Sequence, residues 1–278
     1  MAEYINFVNG DWLPASKSTV SLYDAGFLLG DGLFETIRFQ YGRLFQPKKH
    51  LKRLHSGLNI IQIELNKSNE ELISYLEEMV IRNDIRSGLL RLMITRGKIE
   101  GTPWNFSGTP NVYITIRPLT EEPKKPVKVV FYPEEKYPII RFNPAIKSLN
   151  YIGNMLAKKN AEKEGAFEPV FFNRDGYVTE CAIRNIFFIQ DKTLMTPGID
   201  LGVLPGVMRE TIMEIALELD LIVSEKIIPF NSINDMDEAF ISSTGIGLLP
   251  CYWDGWNSEF PITYLLKEKL NGIIDNNN

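Results

Sequence analysis

Apolar residues along this chain recur with two periods, and the changes between them mark its elements. "YINFVNGDWLP", Tyr4 to Pro14, reads as two short strands folded about Asn9-Gly10, a pair that tolerates the positive φ angles of a tight hairpin. "LFETIRFQYGRLFQ" reads as a second hairpin around Tyr41-Gly42. The period then lengthens. Pro47 opens "PKKHLKRLHSGLNII", in which Leu51, Leu54, Leu58 and Ile61 fall on one helical face. "SNEELISYLEEMVIRND" is a further helix, with Ser68 and Glu71 at the spacing of a capping box. Two strands follow, "GLLRLMITRG" and "NVYITIRPL", joined by a loop containing "KIEGTPWNFSGTP".

At Thr120 the periodicity stops. "TEEPKKP" is charged and punctuated by proline, so 120–126 reads as a linker between domains at 1–119 and 127–278. "VKVVFYP" begins the second, strand-rich block. A helix from Tyr151 to Glu164 is followed by the meander "EPVFFNRDGYVTECAIRNIFFIQDKTLMTP", with turns at Asp175-Gly176 and Asp191-Lys192. A helix from about Val207 to Asp220 and the strands "LIVSEKII" and "EAFISST" complete the pattern. There is no internal repeat, and the polar tail "DNNN" is the one biased tract. Two successive mixed blocks predict two α+β domains.

Composition narrows the function. The chain has 278 residues, 44% hydrophobic and 23% charged, which is ordinary for a globular protein. A net charge of −5 gives no general attraction to nucleic acid or to an anionic membrane. Two cysteines, Cys181 and Cys251, with two histidines, His50 and His55, have no metal-site spacing. The start, "MAEYINFVNGDWLPAS", lacks a signal-peptide pattern, and no apolar run approaches a membrane span. A soluble, cytoplasmic protein with no metal is the expectation.

The candidate chemistry starts from "RFNPAIKSLNYIGNMLAKK", where Lys147 sits in a tight, mostly uncharged setting before a helix rich in lysine. Lysines ordinarily keep a hydrated ammonium on the surface; the alternative is a nucleophilic amine that bonds a carbonyl compound. "LPGVMRETIMEIALEL" sets Gly206 before a helix whose first N–H groups, at Val207 and Met208, could hold an anion. "ISSTGIG" is a small-residue turn that could serve the same anion. Glu180 ends "GYVTE", and either faces solvent, pairs with Arg184, or holds a protonated ring nitrogen.

In that order, lysine, glutamate, "LPG" helix start and "SSTG" turn, the chain resembles the class IV aminotransferases, the fold-type IV enzymes of pyridoxal phosphate. "DAGFLLGDGLFETIR" is similar to the family's opening signature, and "HLKRL" follows in its usual place. The resemblance runs from "VNG" to "SSTG". It implies a smaller N-terminal α/β domain, a larger C-terminal strand-rich pseudo-barrel, a homodimer, and pyridoxal 5'-phosphate between the two domains. By the same resemblance Lys147 is the Schiff-base lysine and Glu180 the partner of the ring nitrogen. Tyr151 meets the ring hydroxyl, and Asn185 supports the cofactor. Arg53, Gly206, Val207, Met208, Ser243 and Thr244 surround the phosphate.

Some positions depart from the pattern. Arg184 precedes Asn185 where relatives carry a small, polar or acidic residue, so it either adds positive charge near the phosphate or is a surface side chain. Leu29 replaces a common aromatic before "GDG", and the loop "TRGKIEGTPWNF" lacks the Arg-x-His pair that captures substrate carboxylates in D-amino-acid enzymes. Arg38 and Arg96 are the expected substitutes, with Leu29, Phe34, Trp104 and Gly245 as further substrate contacts. The implied reaction moves an amino group between an amino acid and a 2-oxo acid, tilted toward D-amino acids, with branched-chain L-amino acids also in view. Glu35 in "FETIR" weighs against aminodeoxychorismate lyase, the related enzyme that eliminates pyruvate. Lys147, Glu180 and Arg53 together weigh against a silent cofactor-binding protein.

Overall fold

The structure is a computed structural model that describes residues 3–102, 104 and 108–275. The tail beyond Asp275 and part of the loop that follows Thr102 lie outside the described residues. The described residues form two compact units, one of residues up to Thr120 with Ile146–Asn150, the other of Glu121–Ala145 with residues 151–275.

In the first unit a six-stranded sheet has the order β2-β1-β6-β5-β3-β4. Its strands are β1 (Ile5–Val8), β2 (Asp11–Pro14), β3 (Gly32–Gln40), β4 (Arg43–Leu44), β5 (Ser87–Thr95) and β6 (Asn111–Pro118). All pair antiparallel, and Asn9-Gly10 and Tyr41-Gly42 turn the hairpins with positive φ. The helices α2 (Pro47–Ile60) and α3 (Asn69–Asn83) start as the sequence predicts, at Pro47 and at a complete Ser68–Glu71 capping box. Leu51, Leu54 and Leu58 of α2 join Leu72, Leu76 and Met79 of α3 in a core with Ile37, Leu90, Leu92 and Ile94 of the sheet. Fully burying each such side chain stabilises the fold by ~1.5–3 kcal/mol.

A short helix, α1 (Ala25–Leu29), was not legible in the sequence. Asp24 creates it by accepting the N–H groups of Gly26 at 2.8 Å and Phe27 at 3.3 Å, and Gly30 ends it at φ 69°. Asp24 is fully buried and also accepts from Thr95, Asn111 and Tyr113. Dense hydrogen bonding lets a carboxylate stay inside.

The second unit carries an eight-stranded sheet ordered β12-β11-β10-β13-β14-β7-β8-β9. The strands are β7 (Val127–Pro133), β8 (Glu168–Phe172), β9 (Val178–Cys181), β10 (Asn185–Gln190), β11 (Thr193–Pro197), β12 (Ile222–Lys226), β13 (Glu238–Ser243) and β14 (Gly247–Tyr252). The connections β7–β8, β11–β12 and β14–β7 are parallel and the rest antiparallel, the mixed sheet of an α+β fold. Helices α4 (Ile152–Lys163), α5 (Val207–Glu218) and α6 (Pro261–Asp275) accompany it. Helix α6 is not among the elements expected from the sequence; Glu238 on β13 caps it by accepting from Ile262 at 2.9 Å and Thr263 at 2.8 Å. Among the described residues no helix is long and apolar enough to cross a membrane.

One segment departs from the expected division of the chain. Residues 146–150 lie within the stretch expected as one domain from 127 to 278, yet they pack with the first unit. The cause is an open strand edge. β4 covers β3 only at Phe39 and Gln40, which leaves the edge at Gly32–Phe34 to pair with the Lys147–Leu149 stretch.

Candidate active site

In the first unit the candidate residues gather around β3. Phe34 donates its N–H to the carbonyl of Lys147 at 2.9 Å, and Leu149 donates to Gly32 at 3.0 Å. The backbone of Lys147 is therefore held in a ladder rather than in a free loop. Its Nζ stands 4.4 Å from the centre of the Phe34 ring, and Arg91 Cζ lies 3.8 Å from that same ring centre.

Beside it is a buried ion group that the expected site residues included only in part. His50 and Arg53, one turn apart on α2, both reach Glu35 of β3. Arg53 donates from Nε to Oε1 at 2.8 Å and from Nη2 to Oε2 at 2.6 Å, and His50 Nδ1 lies 2.7 Å from Oε2. Burial would raise the Glu35 pKa, but the Arg53 guanidinium and the His50 hydrogen bond outweigh it and bring it down to about 2. Burial lowers the His50 pKa against the pull of Glu35, and the charges of Arg53 and Lys147 push the same way as burial. His50 is thus a neutral ring donating Nδ1–H to Glu35, and its buried Nε2 has no hydrogen-bond partner among the described residues. The sequence signal is a glutamate within an apolar strand, which marks a candidate buried acid but does not name Arg53 as its partner.

Two arginines expected to meet the substrate carboxylate are engaged within this unit. Arg38, buried, donates to Gln40 at 2.8 and 3.3 Å. Arg96 binds both oxygens of Asp31 and the carbonyls of Ile61 and Gln62, so it joins β5 to the end of α2. These partners are distant in sequence, so a motif reading does not find them. Leu29 and Trp104 are exposed, at 50% and 79%.

In the second unit, Glu180, Asn185 and the start of α5 converge through one stretch of backbone. Leu204 donates its N–H to Glu180 Oε2 at 3.1 Å, and its carbonyl accepts from Asn185 Nδ2 at 3.0 Å. Gly206 is the N-cap of α5, with no side chain covering the first-turn N–H groups of Val207 and Met208. A Cβ at Gly206 would meet Asn185 Oδ1 at 2.1 Å, so only glycine lets the asparagine lie against the turn. Asn185 pairs across the sheet with Ser242, which brings the half-exposed Ser243, Thr244 and Gly245 turn to the same end of β10. Tyr151 is the N-cap residue of α4.

Arg184 is neither a surface side chain nor an open cation. Its guanidinium pairs with Glu168, a wholly buried residue that also accepts the Ile183 N–H at 3.0 Å. Burial raises the Glu168 pKa, with Arg184 and Lys158 opposing it. Phe167 lies under both cations.

Comparison with known proteins identifies the family of the chain. A model of "Amino-transferase class IV" matches residues 32–252. A Methanocaldococcus jannaschii protein, provisionally named a branched-chain-amino-acid aminotransferase, is 31% identical over 96% of this chain and 95% of its own length. The D-alanine aminotransferase of Listeria monocytogenes is 33% identical over 87% of this chain and 85% of its own. Bacillus subtilis aminodeoxychorismate lyase is 31% identical over 88% and 84%. A branched-chain aminotransferase structure from Thermoproteus uzoniensis superposes with a TM-score of 0.91 at 24% identity, covering 98% of this chain and 95% of that one, a likeness of fold. The chain belongs to the class IV aminotransferase family and is a pyridoxal-phosphate-dependent transaminase.

Proposed function

We propose that Lys147 carries the cofactor and that the enzyme moves an amino group from a D-amino acid to a 2-oxo acid. The observation that supports the lysine is its backbone pairing with β3, which holds a reactive amine in place.

The residues fit the group. A cofactor with a dianionic tail needs several N–H donors, and the turn at Gly206–Met208, uncapped by any side chain, offers them beside Asn185. The Ser243–Thr244 turn adds hydroxyls at that end of the sheet, and the resemblance to the family assigns Arg53 of the first unit to the same phosphate. Arg184 is paired with Glu168, and we assign it no part in holding the phosphate. When bound, pyridoxal phosphate supplies an electron sink for the pair left at Cα once its proton departs. Glu180 holds the ring nitrogen protonated. The Lys147 amine takes the proton from Cα and returns it at C4′, as general base and then general acid. Asn185 and Tyr151 orient the ring.

Glu35, within the "FETIR" strand, favours transfer over elimination, because the related lyases tend to carry threonine there. The preference for D-amino acids is supported by the D-alanine aminotransferases among the relatives. A second copy completing a homodimer is supported by the exposed apolar run Leu22, Tyr23, Phe27, Leu28 and Leu29. The test is a half-reaction panel scoring loss of the bound-cofactor absorption with D- and L-amino acids. Reaction with L-branched-chain amino acids alone refutes the D-preference, and pyruvate release from aminodeoxychorismate without amino transfer refutes the transaminase assignment.

A further inference from the structure

Glu180 is held by more than its backbone contact. Arg141 donates from Nη1 to Oε1 of Glu180, from Nη2 to the Thr179 hydroxyl at 3.2 Å, and from Nε to Glu134 Oε1 at 2.8 Å. Thr179 closes the ring by donating to the same Glu134 oxygen at 2.6 Å. The three charged side chains are each less than one-fifth exposed, Arg141 at 19%, Glu134 at 15% and Glu180 at 14%. Burial opposes the charge on Arg141, but Glu180 and Glu134 outweigh it and raise its pKa, so the guanidinium is a fixed cation.

Formal charge makes the group incomplete. Two carboxylates and one guanidinium sum to −1, and an uncompensated charge away from water is costly. Glu180 Oε2 accepts one N–H, from Leu204, and a carboxylate oxygen can accept two. The group is therefore shaped to receive one more cationic donor at Glu180.

We propose that Arg141 is a positioning residue for that donor: by bridging Glu134 and Glu180 it fixes the Glu180 carboxylate in the orientation that meets a protonated ring nitrogen. The inference rests on the reading of Glu180 given above. The planar fork of arginine suits a bridge among three acceptors, which a single ammonium cannot reproduce. Without it, two carboxylates share one small space, and Glu180 turns away.

The test strips the enzyme of cofactor and titrates it with pyridoxal phosphate and with its 1-deaza analogue, in which the ring nitrogen is carbon. The ratio of the two Kd values isolates what the ring nitrogen contributes. The parent chain is expected to prefer pyridoxal phosphate. Arg141→Met and Arg141→Lys should cut that preference about tenfold or more, a change of ~1.4 kcal/mol. Thr179→Val, which removes one contact to Arg141, should cut it by less, and it serves if the Arg141 variants do not fold. If Arg141 merely supports the fold, both ligands weaken together and the ratio stays at the parent value. That result overturns the proposal, as does an unchanged ratio when only Thr179→Val folds. A parent chain that binds both ligands equally overturns the reading of Glu180 and this inference with it.

Discussion

His50 Nδ1 lies 2.7 Å from Glu35 Oε2, and the same oxygen accepts from Arg53 Nη2 at 2.6 Å. One buried carboxylate thus serves a neutral ring and a cation together. Both titrating partners favour the fold at neutral pH. Glu35, depressed to about 2 from an ordinary 4.5, stabilises the fold above about pH 4.5, and that stability is lost as pH falls toward 2. His50, lowered from 6.5, keeps its stabilising effect above that value, and the effect declines below it as the unfolded ring takes up a proton first. Stability measured by denaturant titration should therefore fall in two stages on acidification. His50→Gln should remove the stage that begins near pH 6.5 and keep the lower one, and a variant that retains both stages refutes the assignment.

Arg53→Ala should affect binding and folding at once. Loss of a charge-assisted bond to a buried anion weakens cofactor retention by ~1.5–3 kcal/mol. It also leaves Glu35 buried with His50 as its remaining partner in this group, which lowers Tm. Arg53→Ala with unchanged cofactor affinity but a lowered Tm would make Arg53 a structural partner of Glu35 alone.

Arg184→Ser should behave in the opposite way. Its guanidinium pairs with Glu168, which is wholly buried, and removing one partner of such a pair costs about 3–5 kcal/mol. We expect a large loss in the unfolding midpoint and a cofactor Kd within about twofold of the parent, a difference under ~0.5 kcal/mol. A selective loss of cofactor affinity would return Arg184 to the phosphate site.

These contrasts also show where the sequence was readable. The hairpin at Asn9-Gly10, the capping box at Ser68 and the stripe of Leu51, Leu54 and Leu58 follow from local pattern, so α2, α3 and most strands could be read directly. Helix α1 could not, because Asp24 gathers its partners from Thr95, Asn111 and Tyr113, far along the chain. The pairing of Lys147 with Phe34 is equally non-local, since it needs β4 to stop after Leu44. Ordered motifs named the family, but motifs carry no partners. Arg96 and Arg184 looked available as isolated letters and are engaged by Asp31 and Glu168 in space.

Borohydride treatment of the yellow enzyme, followed by peptide mapping, should place the reduced cofactor on Lys147. The neighbouring helix offers a contrast in Lys158, whose Nζ donates to the Phe167 carbonyl and stands 3.4 Å from Glu162. Its amine already has a carbonyl and a carboxylate as partners. A label on Lys158 or Lys159 refutes the assignment of Lys147.

Glu180→Gln separates mechanism from binding. The amide keeps the side chain's shape and one acceptor, so it can accept from the Leu204 N–H or from Arg141 but not from both, because its NH2 group only donates. It removes the negative charge that favours a protonated ring nitrogen. Cofactor should therefore still bind, while cleavage of the Cα–H bond slows by orders of magnitude. A tenfold loss corresponds to only ~1.4 kcal/mol of barrier, too small for removal of the main support of the electron sink. The deciding measurement is a single-turnover rate with protiated and α-deuterated amino acid. We expect the variant to be slow with a full isotope effect, since proton removal then limits the reaction. Parent-like rates in Glu180→Gln would mean that Glu180 serves only Arg141 and Leu204, and that another residue meets the ring.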